Sequence, residues 1–213
     1  MFRDVVRRAV RLVGAVVVLL LVAAPVSAAE TPPPDEFVRA EIGALAKLLA
    51  GGAPGRFDAV RARVRAVADF EGFARGSLGK TWATLGPGEQ RRFKETLQRL
   101  LESHYMNRPS SIFDERKVAV EGAKVTGERA DVPLTVERKD VDVAVVVKLR
   151  RAGAGWIAED VVIDGLSLLE DYRAQFRSYL KKHTVRELIA RLDSRAKANS
   201  KPPRASGAPG ANK

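Results

Sequence analysis

Val141-Asp142-Val143-Ala144-Val145-Val146-Val147-Lys148-Leu149 is apolar at every odd-numbered position and mixed at the even ones. A period of two gathers Val141, Val143, Val145, Val147 and Leu149 on one face of a β-strand, whereas a helix would scatter them around its axis. Upstream, Val132, Leu134 and Val136 repeat the pattern and Val118 with Val120 begins it; downstream, the run 156–163 continues it from Trp156 to Ile163. Glu137-Arg138-Lys139-Asp140 and Ala152-Gly153-Ala154-Gly155 are short enough to be hairpin connections. The reading is four strands in an antiparallel meander with one apolar face, the last stopped by Asp164-Gly165.

On either side of this block the period is that of a helix. Asp35 is placed to cap a helix with Phe37, Val38, Ile42, Leu45, Leu48 and Leu49 on its inner face, ended by Gly51-Gly52-Ala53-Pro54-Gly55. A second helix carries Phe57, Val60, Val64 and Val67 opposite Arg56, Arg61, Arg63 and Arg65. Asp69 can cap a short third helix through Phe70 and Phe73. After Gly86-Pro87-Gly88 comes the strongest amphipathic stretch, with Phe93, Leu97, Leu100, Leu101 and His104 on one stripe. Two helices close the chain, one bearing Leu168, Leu169, Tyr172, Phe176, Tyr179 and Leu180, the other Val185, Leu188, Ile189 and Leu192. Helices covering one face of a curved four-stranded antiparallel sheet make an α+β fold.

The ends read differently from this body. Arg3, Arg7, Arg8 and Arg11 precede an apolar run over 12–24, broken by Pro25, and Val26-Ser27-Ala28 offers small residues for cleavage. This is the pattern of an export signal, predicted at 1–28, with an apolar run too short for a permanent span. The body is predicted at 29–194 and a basic, disordered tail at 195–213, where Arg195, Lys197, Lys201, Arg204 and Lys213 stand among Pro, Gly, Ser and Ala without an acid. Much of the formal net charge of +11 therefore lies outside the body. The body has no basic stripe interleaved with aromatics, so nucleic acid is not expected as a partner.

Chemistry is sparse. With no cysteine and only His104 and His183, thiol nucleophiles, Cys-ligated zinc, iron–sulfur clusters and three-histidine metal sites are excluded, and no metal or cofactor is expected. Ala74-Arg75-Gly76-Ser77-Leu78-Gly79-Lys80-Thr81 imitates a phosphate-binding loop. That loop functions between a buried strand and a helix, and the residues before it are helical in pattern, so a helix-to-helix turn is the better reading. No G-x-S-x-G elbow is present, His104 reads as a core histidine, and Asp160 and Asp164 read as a surface charge and a turn residue. No catalytic residue is assigned, and the chain is not read as an enzyme.

Two stretches carry a resemblance. Asp69-Phe70-Glu71-Gly72-Phe73-Ala74-Arg75-Gly76-Ser77-Leu78-Gly79-Lys80-Thr81-Trp82, with the helix after it, is similar to the D-x-x-x-x-A-x-x-x-L-G-x-x-W segment of the MlaC, or toluene-tolerance, family of periplasmic phospholipid-binding proteins, which includes hopanoid-associated relatives. Trp156-Ile157-Ala158-Glu159-Asp160-Val161-Val162-Ile163-Asp164-Gly165-Leu166-Ser167-Leu168, then Tyr172-Arg173-Ala174-Gln175-Phe176, resembles the family's W-x-x-x-D-V-x-x-x-G-x-S-L-x-x-x-Y-R-x-Q-F. The resemblance extends over about 35–192.

The resemblance implies a helix-covered sheet of the nuclear transport factor type enclosing an apolar cavity, in a periplasmic carrier of phospholipid. It implies shuttling between an outer-membrane lipoprotein complex and an inner-membrane ABC transporter with an MCE subunit, in the maintenance of outer-membrane lipid asymmetry. A monomer is expected. The alternatives are a carrier of another lipid such as a hopanoid, or a periplasmic adaptor with a filled core. The residues expected to line the cavity are Trp82, Phe93, Leu97, Leu101, Leu134, Val136, Val143, Val145, Val147, Trp156, Val161, Ile163, Tyr172 and Phe176, with Arg173 at the rim or a docking surface. The need for a carrier is physical: a sixteen-carbon chain costs roughly 12 kcal/mol to expose to water at ~0.8 kcal/mol per CH₂, so lipid does not cross an aqueous space unaided.

Overall fold

The computed structural model describes residues 31–50, 54–105, 117–137 and 141–200. The expected export signal, Gly51-Gly52-Ala53 of the first helix stop, Arg138-Lys139-Asp140 of one hairpin and the tail from Lys201 onward lie outside the described residues. Every element below belongs to the unit Pro32–Lys213.

The helices come first: α1 (Pro34–Ala50), α2 (Arg56–Val67), α3 (Phe70–Leu78), a 3-10 helix (Gly79–Thr84) and α4 (Pro87–Tyr105). The strands follow as β1 (Val118–Val120), β2 (Lys124–Thr126), β3 (Arg129–Val136), β4 (Val143–Ala152), β5 (Gly155–Ile163) and β6 (Leu166–Ser167), and α5 (Leu168–Leu180) and α6 (Val185–Ser200) close the chain. The fold is α+β with an open antiparallel sheet.

Several boundaries correct the sequence reading. The sheet has six strands in the order β1-β3-β4-β5-β6 with β2 also on β3, not four. The additional strands are β2, whose one apolar residue Val125 is exposed, and β6, which is two residues long, so neither shows an apolar alternation. Asp164-Gly165 does not end the sheet. Both residues have positive φ (48° and 81°), the backbone of a tight hairpin turn, so the chain reverses and Leu166 pairs with Ile163. Val141 precedes β4 and is exposed. Asp35 lies inside the first turn of α1 rather than before it. The largest difference is α6, which continues to Ser200 and buries Ala196, so residues 195–200 are helix and not tail.

Of the helix caps read from sequence, the one at Asp69 holds, and the turn read at Gly86-Pro87-Gly88 is in part the helix start. Asp69 accepts a hydrogen bond from the Gly72 N–H at 2.8 Å and starts α3. Pro87 opens α4, where a missing N–H costs nothing because the first turn has no intrahelical partner for it. The imitation phosphate loop is the end of α3 and the 3-10 helix, as its helical flanks implied. Its Gly76 packs against α5: a Cβ there would meet Leu169 at 3.0 Å.

The buried apolar side chains form two clusters. One gathers Phe73, Ala74, Leu78, Trp82, Phe93, Leu97, Leu100, Leu101, Phe176, Leu188, Ile189, Leu192 and Ala196 from the helices. The other gathers Ala130, Val132, Leu134, Val136, Val145, Leu149 and Trp156 from the sheet, with Val38 of α1.

Candidate functional site

Register decides which side chains share a sheet face. Leu134 stands opposite Val145, Val136 opposite Val143 and Val132 opposite Val147. On the other side of β4, Val145 pairs with Ile163 and Val147 with Val161. Because directly opposed residues project from the same face, Leu134, Val136, Val143, Val145, Val147, Val161 and Ile163 form one apolar surface. A bulge between Lys148 and Leu149 then shifts the ladder, so that Leu149 meets Ala158 and Arg151 meets Trp156. The bulge changes the parity of β5 and brings the even-numbered Trp156 to the face that carries the odd-numbered Val161.

Coverage of this surface is uneven. Leu134, Val136, Val145 and Trp156 are buried, whereas Val143, Val147, Val161 and Ile163 are only half-buried. Phe37, Val38 and Ile42 of α1 pack against the sheet cluster, a contribution not assigned from sequence although their helical spacing marked an inner face. Trp156 is fixed at its edge. Its indole N–H donates to the Pro32 carbonyl at 2.8 Å, and the Arg151 guanidinium lies 4.8 Å from its ring centroid.

The remaining expected lining residues belong to the helical cluster. Trp82 meets Phe93 edge-on with centroids 6.4 Å apart, and Phe93 meets Phe176 edge-on at 5.7 Å. Tyr172 continues the chain of rings to Phe176 at 5.5 Å and to Phe73 at 6.0 Å. Leu97 and Leu101 fill the α4 side. The structure thus brings Trp82, Phe93, Leu97, Leu101, Tyr172 and Phe176 together in one cluster, and Leu134, Val136, Val143, Val145, Val147, Trp156 and Val161 in the other.

Polar groups join the two regions. Asp160, read from sequence as a surface charge, is buried. Its carboxylate accepts from the Leu169 N–H at 3.0 Å, the Val161 N–H at 2.8 Å and the Ser167 hydroxyl at 2.5 Å, while Ser167 accepts from the Glu170 N–H. One strand carboxylate therefore holds the first turn of α5, which accounts for Asp160 and Ser167 in the second motif. Asp69 plays the corresponding part in the first. Its backbone N–H donates to Ala158 of β5, and its carboxylate accepts from Arg150 of β4 at 2.6 and 3.1 Å. Burial pushes the Asp69 carboxyl up, but the Gly72 N–H and the Arg150 and Arg75 charges outweigh this and hold it below the usual carboxylate range.

A second buried carboxylate braces α2 against α4. Glu102 accepts a bidentate pair from Arg65, both contacts at 2.6 Å, and a further bond from Gln98 at 2.8 Å. Burial again raises the acid, and the guanidinium and amide bonds with the Arg65 and Arg61 charges lower it further than burial lifts it. His104 is exposed, not in the core: the apolar stripe of α4 ends at Leu101, and Glu102 and Ser103 take the buried positions of the last turn. Arg173, expected at the rim, is half-buried; its Nε donates to the Gly76 carbonyl at 2.7 Å, and it pairs with Glu170. It ties α5 to α3.

The chain matches no curated protein sequence. A solved phospholipid-binding protein from Ralstonia solanacearum, in complex with a phospholipid, superposes with a TM-score of 0.68 at 23% identity, covering 80% of this chain and 100% of the other. The likeness establishes a shared fold. The family model for MlaC protein matches residues 42–194, a stretch that includes both motifs, both capping carboxylates and nearly all of both clusters. The chain belongs to the MlaC family.

Proposed function

We propose that this protein is a periplasmic carrier of phospholipid and not an enzyme, holding acyl chains against the valine-bearing sheet face and beside the helical cluster. The observation that carries the reading is the row Val143, Val147, Val161 and Ile163: adjacent apolar side chains on one face, none fully covered by protein. Leaving such a row to water is unfavourable by about 25 cal/mol per Å², and an acyl chain is the complementary occupant. Family membership and the phospholipid held by the Ralstonia solanacearum protein support the same assignment. Around this site we place delivery between an outer-membrane lipoprotein complex and an inner-membrane ABC transporter with an MCE subunit. The leader-like residues 1–28 support export to the periplasm.

Native mass spectrometry of the exported protein tests the assignment. A co-purified diacyl phospholipid is the expected result. A polycyclic lipid in its place would reassign the cargo, and a bare mass after exposure to phospholipid would leave the adaptor reading.

A further inference from the structure

Several cations among the described residues pair with carboxylates across or along the fold. Arg63 pairs with Glu41, Arg65 with Glu102, Arg99 and Lys197 with Asp193, Arg129 with Glu159, Arg150 with Asp69 and Arg173 with Glu170. The turn from α5 into α6 gathers cations that are not paired in this way. Arg177, Lys181, Lys182 and Arg186 are exposed there, and among the described residues none has a carboxylate within salt-bridge distance.

The turn also holds these charges in a fixed display. Arg177 and Lys181 are four residues apart and share a helix face. The Lys182 N–H donates to the Tyr179 carbonyl at 3.1 Å, and the His183 ring stacks on Tyr179 with centroids 4.2 Å apart. Arg191 approaches the same ring at 5.2 Å. Thr184 and Glu187 form a reciprocal cap: the Thr184 N–H and hydroxyl donate to the Glu187 carboxylate at 2.7 and 2.9 Å, and the Glu187 N–H donates back at 3.3 Å. Glu187 is the only acid between Arg177 and Arg191, and it is committed to this cap and to His183.

We infer that the α5–α6 turn is a docking surface for an anionic lipid bilayer, engaging phosphate head groups through Arg177, Lys181, Lys182 and Arg186. Charge complementarity selects the occupant, since unpaired cations presented together are attracted to a negative lipid surface within a Debye length of about 8 Å at physiological salt. The inference goes beyond lipid carriage, because it concerns how the protein meets a membrane and not what it holds.

The test is vesicle co-sedimentation of residues 32–213, the unit that contains both hydrophobic clusters. Vesicles of phosphatidylcholine alone are compared with vesicles containing phosphatidylglycerol. The K181E/K182E variant is set against R91E/R92E, the same charge change on the exposed side of α4, and against a chain ending at Ser200 that lacks Lys201, Arg204 and Lys213. The expected result is salt-sensitive binding to the anionic vesicles only, weakened about tenfold or more in K181E/K182E and about threefold or less in the other two. Equal weakening by K181E/K182E and R91E/R92E would reduce the effect to net charge and overturn the inference. Loss confined to the shortened chain would transfer it to the tail and overturn it too, as would unchanged affinity in K181E/K182E. Melting temperature and bound lipid, measured on the same samples, separate these outcomes from misfolding and from failure of the carrier assignment.

Discussion

The helical cluster is built mainly from rings and leucines and the sheet cluster mainly from valines, and the two are finished differently. Around Phe93 the rings of Trp82 and Phe176 meet edge-on, and Phe93, Leu97 and Leu188 are almost completely buried. On the sheet, Val132 and Val136 are as well buried, but their neighbours Val143, Val147, Val161 and Ile163 stay half-buried. Aromatic edges interlock in fixed orientations, whereas a row of valines presents a smooth surface that imposes no single partner. The difference teaches where the molecule is a scaffold and where it has apolar surface left to offer.

The largest loss of stability is expected at Phe93. Phe93→Ala should cost about 3–5 kcal/mol, because a fully buried ring leaves a cavity between two packed neighbours. Urea unfolding would show it as a lower midpoint with an unchanged slope. A loss below about 1 kcal/mol would mean that the helical cluster is not the rigid half. Next is the joint between the regions: Asp160→Ala removes the acceptor for the Leu169 N–H and the Ser167 hydroxyl and should cost about 2–3 kcal/mol. Hydrogen exchange should then accelerate in the first turn of α5 before it changes in β3 or β4.

A smaller effect tests the brace within the helical half. Because the Glu102 carboxyl is held below its ordinary value, it releases its proton more readily in the folded chain than in the unfolded one. It therefore contributes stability above the unfolded value of about 4.3 and loses it as pH falls through the lowered folded value. Glu102→Gln should cost about 1–2 kcal/mol at neutral pH and make the acid limb of the melting-temperature profile shallower, with Asp69 supplying the remaining slope in the same direction. Parallel acid limbs in the two proteins would remove Glu102 from the acid response. The smallest stability effect is expected on the sheet. Val147→Trp should shift stability by less than about 1.5 kcal/mol, since the side chain is only half-buried, while lowering the bound phospholipid seen by native mass spectrometry. Full occupancy in a folded V147W protein would detach this face from the cargo.

Much of this architecture could be read from residue spacing. The change of period near Val118 separated helices from strands, and Asp69 was recognisable as a cap because its partner, Gly72, is three residues away. Legibility failed where a role depends on distant chain. Asp160 looked like a surface charge because its work is done by a helix seven to nine residues later, reached only after the Asp164-Gly165 turn. The end of α6 was missed because its buried residue there is Ala196, whose small side chain gives no apolar signal among Arg195, Lys197 and Asn199. For the site, spacing grouped the valines of β3 and β4 correctly. It could not show that thirteen of the fourteen expected residues divide between two clusters, with Ile163 in neither, since that depends on which helices pack against one another.

The bulge at the middle of β5 makes the strand unequally tolerant of deletions along its length. Glu159 stands between Ala158 and Asp160, which are both matched across the ladder, and has no such match itself; its carboxylate reaches Arg129 at 2.9 Å. Replacing it alters one exposed ion pair. Deleting it would leave a regular ladder, because Ala158 opposite Leu149 and Asp160 opposite Lys148 would then be consecutive pairs. Asp160 would keep its side of the sheet, with the acceptor for the first turn of α5, and Val161 and Ile163 would stay with the valines, so the loss would be the local bend and added twist of the bulge. A one-residue deletion at Val161 would do the opposite, bringing Val162 opposite Val147 and turning the end of the strand to the wrong face, so β5 can lose a residue at its bulge and not beyond it.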